Sequence, residues 1–331
     1  MARLSDRITG LLGDAGDDGW GVYVRAREME AAGEPVVFLT IGDHDIHTDR
    51  LILDAMRASQ DRGNLGYAHV QGSPGLRGAI AGRVIARGAV PAAAANVLVT
   101  PGGQAALFTA LMTALDPGQS CIVLDPFYAT YAQTVRAAGG VPVTVPTRAE
   151  EGFQPDPEAI GAAIRPDTGA IILNTPNNPT GAIYTRERLE AVAEIARCHG
   201  LWVISDEVYA VQAHDAPHLS PRDLPGMADD VLVVDSLSKS HAMTGSRLGW
   251  MLGPEAAIAH ATDLATATTY GVPGFIQDAG ETALREGQAI EAGIVARYRH
   301  RRDLAMEALR DAGPLRALRP AAGMYVMLDI R

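Results

Sequence analysis

Lysine is nearly absent from this chain: Lys239 is the only one among 28 basic residues. Cysteine is scarce too, and Cys121 and Cys198 imply no disulfide framework, so a cytoplasmic location is expected. No apolar run approaches the roughly 18 residues that a membrane span needs. The net charge of −11 argues against nucleic acid as a partner, since phosphate binding needs a basic surface.

A dinucleotide fingerprint is also missing, because no G-x-G-x-x-G follows a strand-like run. The glycines that do follow such a run stand in T-P-G-G-Q-A-A-L, after N-V-L-V-T. There Gly102 and Gly103 allow a tight turn into a helix that begins near Gln104. This turn is either an ordinary strand–helix connection or an anion site built from free helix N–H groups.

Short apolar runs alternate with amphipathic stretches along most of the chain. The strand-like runs are residues 96–100, 121–125, 141–145, 170–174, 201–205, 231–235 and 248–252. Helical patterns lie between several of them, at 104–115 and 186–200. This alternation predicts an α/β fold whose large domain has a mainly parallel seven-stranded sheet flanked by helices.

The two ends of the chain follow a different pattern. A long charged helix is predicted at 291–312, with the basic run R-Y-R-H-R-R (297–302) on its solvated face, and a strand at 324–330. Near the other end, residues 1–45 are expected to be irregular except for V-V-F-L-T-I (36–41), which predicts one short strand. These pieces suggest a smaller α+β domain built from both chain ends. The predicted segments are an N-terminal arm and small-domain segment (1–45), a large domain (46–275) and an incomplete C-terminal small domain (276–331).

The isolated lysine has two possible explanations. In the first, arginine replaced lysine by compositional drift and one lysine was left by chance. Alternatively, the position requires an amine that can lose its proton, which a guanidinium effectively cannot do. Asp206 follows the buried run L-W-V-I-S, where an unpaired carboxylate is costly, so it needs a cationic partner, and Lys239 is a candidate.

Polar motifs follow several strand-like runs, where open α/β sheets place their ligands. N-T-P-N-N-P-T-G (174–181) presents Asn178, and S-D-E-V-Y (205–209) contains Asp206. S-L-S-K (236–239) is followed eight residues later by Arg247, and serine hydroxyls with an arginine suit a phosphate.

In this order and spacing, the motifs resemble the class I/II aminotransferases of the aspartate aminotransferase fold, which depend on pyridoxal 5′-phosphate. Further matches are Tyr67 with G-S-P-G-L-R (72–77), the T-P-G-G-Q-A turn and D-P-F-Y-A-T-Y (125–131). The resemblance runs from about Gly42 to Asp329.

The resemblance implies a role for each matched residue. Lys239 would form a Schiff base with the cofactor aldehyde, and Asp206 would pair with the pyridinium nitrogen. Tyr209, the third implied catalytic residue, and Asn178 would bond the ring's phenolic oxygen. The other implied contacts are Tyr128 stacked on the ring, Gly103, Gln104, Ser236, Ser238 and Arg247 around the phosphate, and Gly42 with Asn178 at the substrate. Tyr67 would reach the phosphate of a neighbouring subunit, which implies a homodimer.

The implied activity is ping-pong transamination between an L-amino acid and a 2-oxo acid. Two alternatives remain open: a carbon–sulfur β-lyase on the same scaffold, because this cofactor permits several outcomes, and a cofactor-binding protein with little turnover.

The chain departs from the family at two places. No residue matches the arginine that clamps the substrate carboxylate in family members. I-G-D-H-D-I-H (41–47) stands where the family usually has G-E-P-D, so His44 and His47 could shape substrate choice. His44 with His47, and His214 with His218, have metal-like spacings, but nothing adds a third ligand and no metal site is expected.

Overall fold

The seven predicted strands form one sheet in the computed structural model, which describes residues 2–13, 20–88 and 90–331. They are β1 (Val97–Thr100), β2 (Ser120–Asp125), β3 (Val141–Pro146), β4 (Thr168–Asn174), β5 (Trp202–Asp206), β6 (Val231–Ser236) and β7 (Gly249–Leu252). Their order is β1-β7-β6-β5-β4-β2-β3, and β7 alone runs in the direction opposite to the other six strands. The predicted mainly parallel sheet is confirmed.

The central strands are apolar up to the polar residues at their carboxyl ends, because both faces of the sheet are covered. Alternate residues of one strand join different clusters: Val97 and Val99 pack on one face, and Leu98 packs on the other. Such two-sided burial produces the continuous Val, Ile and Leu runs that made the strands recognisable in the sequence.

The described residues form twelve helices, several of which cover the two faces of the sheet. They are α1 (Asp6–Thr9), α2 (Trp20–Ala31), α3 (Arg50–Asp61), α4 (Pro74–Arg87), α5 (Gly103–Ala114), α6 (Tyr131–Ala137), α7 (Pro157–Ala163), α8 (Arg186–His199), α9 (Leu237–Ser240), α10 (Glu255–Ala267), α11 (Gly274–Glu286) and α12 (Gln288–Ala308). Helices α5, α6 and α10 contribute to one apolar cluster, and α3, α4, α8 and α11 contribute to the other.

The C-terminal region forms a small second sheet of two antiparallel strands, β8 (Arg316–Leu318) and β9 (Met327–Asp329), next to the long helix α12. Strand β9 is shorter than the predicted 324–330. The expectation that residues 297–302 are fully solvated is wrong for Tyr298 and Arg302, which are buried. No helix of the described residues is long and apolar enough to cross a membrane.

The strand predicted at 36–41 is not formed. The segment pairs with no strand of the described chain, and Val37 and Leu39 are 84% and 89% exposed. Without a neighbouring strand its backbone has no ladder to join. The expectation that residues 1–45 are otherwise irregular is also wrong, because α2 lies there; residues 1 and 14–19 of that stretch fall outside the described residues. The proposed division at residues 45 and 275 stays a prediction.

Candidate active site

A cavity of about 530 Å³ opens where β4, β5 and β6 end. Their last residues, Asn174, Asp206 and Ser236, all line it. The carboxyl edge of the sheet therefore brings together residues that are far apart in the sequence. The predicted site residues that line the cavity are Gly42, Gly103, Gln104, Tyr128, Asn178, Asp206, Tyr209, Ser236, Ser238, Lys239 and Arg247.

Lys239 lies on the short helix α9, directly after β6. Its Nζ donates a hydrogen bond to the carbonyl oxygen of Gly42 at 2.5 Å. Burial lowers the pKa of the Lys239 amine, the positive charge of Arg247 lowers it further, and Asp43 opposes the shift. An amine in this environment gives up its proton more readily than a surface lysine does.

Asp206 is buried at the end of β5. Its Oδ2 accepts a hydrogen bond from the Tyr131 hydroxyl at 2.6 Å, and its Oδ1 accepts one from the Val208 N–H at 3.3 Å. Burial raises the pKa of Asp206 to about 6. The expected ion pair with Lys239 is not formed, and Asp206 makes no salt bridge within the described chain. Its carboxylate thus faces the cavity without a cationic partner from this chain.

The opposite end of the cavity suits an anion. Helix α5 begins there at Gly103, and Gly102 has a φ of 86°, which favours glycine. The Arg247 guanidinium packs against Gly102 so closely that a Cβ would overlap it. Gln104 turns its side chain away to Thr134 at 2.7 Å, so only its backbone can serve the cavity. Free helix N–H groups, two serines and an arginine fit a phosphate.

Tyrosines line the remaining wall. Tyr209 donates a hydrogen bond to the Tyr325 hydroxyl at 3.2 Å, and burial raises the pKa of both phenols. The Asn178 side chain lies near the same hydroxyl and opposes the shift at Tyr325. Tyr128 lies at 5.8 Å, edge to face, from the buried ring of Tyr131. Hydroxyl and amide donors therefore gather near one point of the cavity.

Sequence reasoning missed several site residues. Tyr131 belongs to a quoted motif and Tyr325 to the predicted strand 324–330, yet nothing in the sequence indicated that their hydroxyls reach Asp206 and Tyr209. Asn174 donates to the Asp206 carbonyl at 3.0 Å, and Gln212 donates to the Lys239 carbonyl at 2.9 Å. The first asparagine of N-T-P-N-N was the one available signal for Asn174.

Tyr67 is the one predicted site residue that does not line the cavity. It is 93% exposed and makes an edge contact with Tyr270. Of the histidines with metal-like spacing, His214 lies 2.9 Å from the Gly323 carbonyl and His218 lies 3.1 Å from Glu207. These two side chains thus have structural partners.

Replacing Gly42 with alanine should destabilise the protein by about 1–3 kcal/mol. A Cβ at this position would overlap the Tyr325 hydroxyl, so the tyrosine would have to leave Tyr209. Urea unfolding measures the effect. Gly78→Ala is the control: Gly78 lies within α4, and a Cβ there would meet nothing within 4 Å. Equal stability of Gly42→Ala and the wild type would contradict this packing.

Comparison with known proteins identifies the family. Residues 34–331 match the family described as aminotransferase class I and II. The chain belongs to this family. Arginine–pyruvate transaminase of Pseudomonas aeruginosa is 44% identical over 329 residues, which cover 99% of this chain and 84% of that protein. Aspartate/prephenate aminotransferase of Thermus thermophilus is 39% identical over 312 residues, which cover 93% of this chain and 80% of that protein.

Solved aminotransferase structures share the fold. Aspartate aminotransferase from Thermus thermophilus with maleate superposes with a TM-score of 0.93 at 36% identity, covering 99% of this chain and 85% of that one. Aromatic aminotransferase from Pyrococcus horikoshii superposes with a TM-score of 0.83 at 32% identity, covering 86% of this chain and 78% of that one. The predicted family, fold class and enzyme class are confirmed, and the family implies the use of pyridoxal 5′-phosphate.

Proposed function

We propose that this aminotransferase uses pyridoxal 5′-phosphate to exchange an amino group between an L-amino acid and a 2-oxo acid by a ping-pong mechanism. One observation carries the proposal: the only lysine of the chain lies desolvated in a cavity that also contains a buried carboxylate and an anion cradle. An amine, a carboxylate and a phosphate site are the three anchors that this cofactor requires.

The residues of the cavity fit the cofactor. The cradle of Ser236, Ser238 and Arg247 would hold its phosphate, and Asp206 would supply the charge that its ring nitrogen needs. Tyr209 and Asn178 would bond the phenolic oxygen, and Tyr128 would cover the ring. When bound, the cofactor supplies a pyridinium ring that accepts the electron pair released as the substrate Cα–H bond breaks.

Lys239 would have two tasks. Its amine would bind the cofactor aldehyde covalently in the resting enzyme, which requires an unprotonated primary amine. After a substrate amine has displaced it, Nζ would take the proton from the substrate Cα as general base. The lowered pKa of Lys239 supports both tasks, because more of the amine is neutral near pH 7 than in a surface lysine.

Asp206 and the phenols would tune the site. Burial disfavours the ionised form of the Asp206 carboxyl. A cation beside it would remove that penalty, so the ionised carboxylate would in turn favour a protonated ring nitrogen in the bound cofactor. The buried phenol of Tyr209, hydrogen-bonded to that of Tyr325, would limit the access of bulk water to this side of the cavity.

A homodimer and a cytoplasmic location are part of the proposal. Exposed Tyr67 and its contact Tyr270 support an interface in which Tyr67 reaches a neighbour's phosphate site. Cys121 and Cys198 are unpaired, which supports a reducing compartment.

A half-reaction with the cofactor-loaded protein tests the function. Single L-amino acids are added without any oxo acid, beginning with L-arginine and L-aspartate because similar proteins are named for them. We expect one equivalent of 2-oxo acid per active site, with conversion of the cofactor to its amine form, since no acceptor is present to restore the aldehyde.

Each other outcome of the half-reaction has a clear meaning. Continued release of ammonia with an oxo acid, without the amine form of the cofactor, would replace transamination by lyase chemistry. Cofactor binding without conversion by any amino acid would leave a binding protein with little turnover. Either result would overturn the proposed function.

A further inference from the structure

His44 occupies a position where the family usually has proline, and its side chain does not line the cavity. It turns instead towards α12. Its Nδ1 lies 2.9 Å from the Tyr298 hydroxyl, and the two rings meet edge to face with centroids 5.4 Å apart. The His44 ring therefore does not line the cavity, and a role of His44 in substrate choice stays a prediction.

The other ring nitrogen points towards α9. Nε2 of His44 is buried and makes no well-aligned hydrogen bond to any described residue, although the backbone of Ser238 and Lys239 lies within reach of the ring. Burial lowers the pKa of His44, and the positive charge of Lys239 lowers it further. A neutral ring with its proton on Nε2 leaves Nδ1 as an acceptor, so the Tyr298 hydroxyl is the donor.

The segment around His44 is held to α12 at a second point. Arg301 donates two hydrogen bonds of 2.7 Å to Asp45, and its guanidinium lies 5.7 Å from the centre of the Tyr298 ring. Two residues before His44, the carbonyl of Gly42 accepts the hydrogen bond from Lys239 Nζ. Residues 42–45 thus connect two contacts: His44 and Asp45 bond α12, and the Gly42 carbonyl accepts the hydrogen bond from Lys239 Nζ.

We propose that His44 is a positioning residue for Lys239: its contact with Tyr298 fixes the Gly42 carbonyl against Nζ. The functional meaning rests on the proposed role of Lys239. The charged and titratable groups around the ring are Asp43 and Asp45 on its own segment, Lys239 on α9, and Tyr298 with Arg301 on α12. Among the side chains of these described residues, that of Tyr298 bonds the imidazole directly.

The solitary lysine makes a direct test possible without cofactor. In the cofactor-free full-length protein, an amine-specific acylating reagent can label only Lys239 and the chain's N-terminal amine, and mass spectrometry separates the two. The acylation rate is followed against pH. The midpoint, the pH at which the rate of Lys239 acylation is half-maximal, reports the pKa of its amine. The maximal rate at high pH reports how accessible the amine is, so a change in pKa is distinguished from a change in accessibility.

Four variants are compared with the wild type. His44→Leu removes the acceptor, Tyr298→Phe removes only the donor hydroxyl, and His44→Asn restores an acceptor near the position of Nδ1. His47→Leu is the matched control, since His47 is exposed in the same segment. We expect His44→Leu and Tyr298→Phe to raise the Lys239 midpoint by at least about half a pH unit, because a released amine is better solvated.

The same measurement can overturn the proposal. His44→Asn should return the midpoint to near the wild-type value, and His47→Leu should leave it unchanged. If His44→Leu and Tyr298→Phe leave the midpoint in place, or if His47→Leu shifts it equally, His44 has no positioning role. Should His44→Leu fail to fold, Tyr298→Phe decides alone. Failure of the half-reaction would contradict the proposed function, but it would not change what the acylation of Lys239 shows about His44.

Discussion

Replacing Lys239 with arginine should abolish transamination, lowering kcat/KM by at least about 10⁴-fold, because both covalent attachment and general base catalysis are lost. Arginine keeps the positive charge but cannot supply a neutral amine near neutral pH. The folded state should survive, since the negative charge of Asp43 favours a cation at this position.

The uniqueness of Lys239 supplies an unusually clean control. Borohydride reduction of the cofactor-loaded wild type should add the cofactor mass to one peptide, the one that contains Lys239. The variant Arg299→Lys places a second lysine on the exposed face of α12, and the reduced cofactor should still be attached to Lys239. The double variant with Lys239→Arg should carry no label and show no activity. Activity of Lys239→Arg within 100-fold of the wild type would contradict the assignment.

Much of the large domain could be predicted because its physical causes are local. Strands such as β4 and β6 are buried on both faces and read as continuous apolar runs. The carboxyl ends of parallel strands meet at one edge, so polar residues that follow them, including Asp206 and Ser236, were expected to share a cavity. That expectation depends on topology alone and needs no knowledge of side-chain contacts.

The parts that could not be predicted depend on contacts between distant segments. Residues 36–41 have the composition of a strand, yet they lack a partner, and strand formation requires one. Tyr325 enters the site because Gly181 and Gln212 bond the backbone of the preceding turn, through Ala322 and Gly323. No pattern within residues 320–325 indicates those bonds.

The missing partner of Asp206 shows a limit of charge arguments from sequence. A buried carboxylate does need compensation, and Lys239 does line the same cavity, yet the lysine bonds Gly42 instead. Burial raises the pKa of the carboxyl, and the remaining stabilisation comes from Tyr131 and a backbone N–H. The protein thus tolerates a local cost at the position that the cofactor is proposed to fill.

Asp206→Asn should therefore have opposite effects on stability and on activity. The pKa of Asp206 is raised from 3.8 to about 6 in the folded protein, so the native state binds the proton more tightly than the unfolded chain does. The contribution of this group to the free energy of unfolding is complete below about pH 4 and is lost as the pH rises through 6. At pH 8 the free energy of unfolding is therefore lower by about 3 kcal/mol.

In the cofactor-free protein, Asp206→Asn should then gain stability at pH 8 and gain little at pH 4. The gain should stay below about 3 kcal/mol, because one amide oxygen must serve both Tyr131 and Val208. Urea unfolding at the two pH values measures the difference. Asp125→Asn, which changes an exposed carboxylate at the end of β2, is the matched control and should be nearly neutral at both.

Activity should respond in the other direction. Without its anionic partner the cofactor nitrogen would lose its proton, so the ring would accept electrons poorly. Removing one member of a buried charge pair typically costs about 3–5 kcal/mol, and a cost of this size in the transition state would be roughly a 10²- to 10⁴-fold loss in kcat. A variant that loses activity without gaining stability at pH 8 would show that Asp206 is not held as a strained anion. One that gains stability and keeps its activity would remove Asp206 from the catalytic residues.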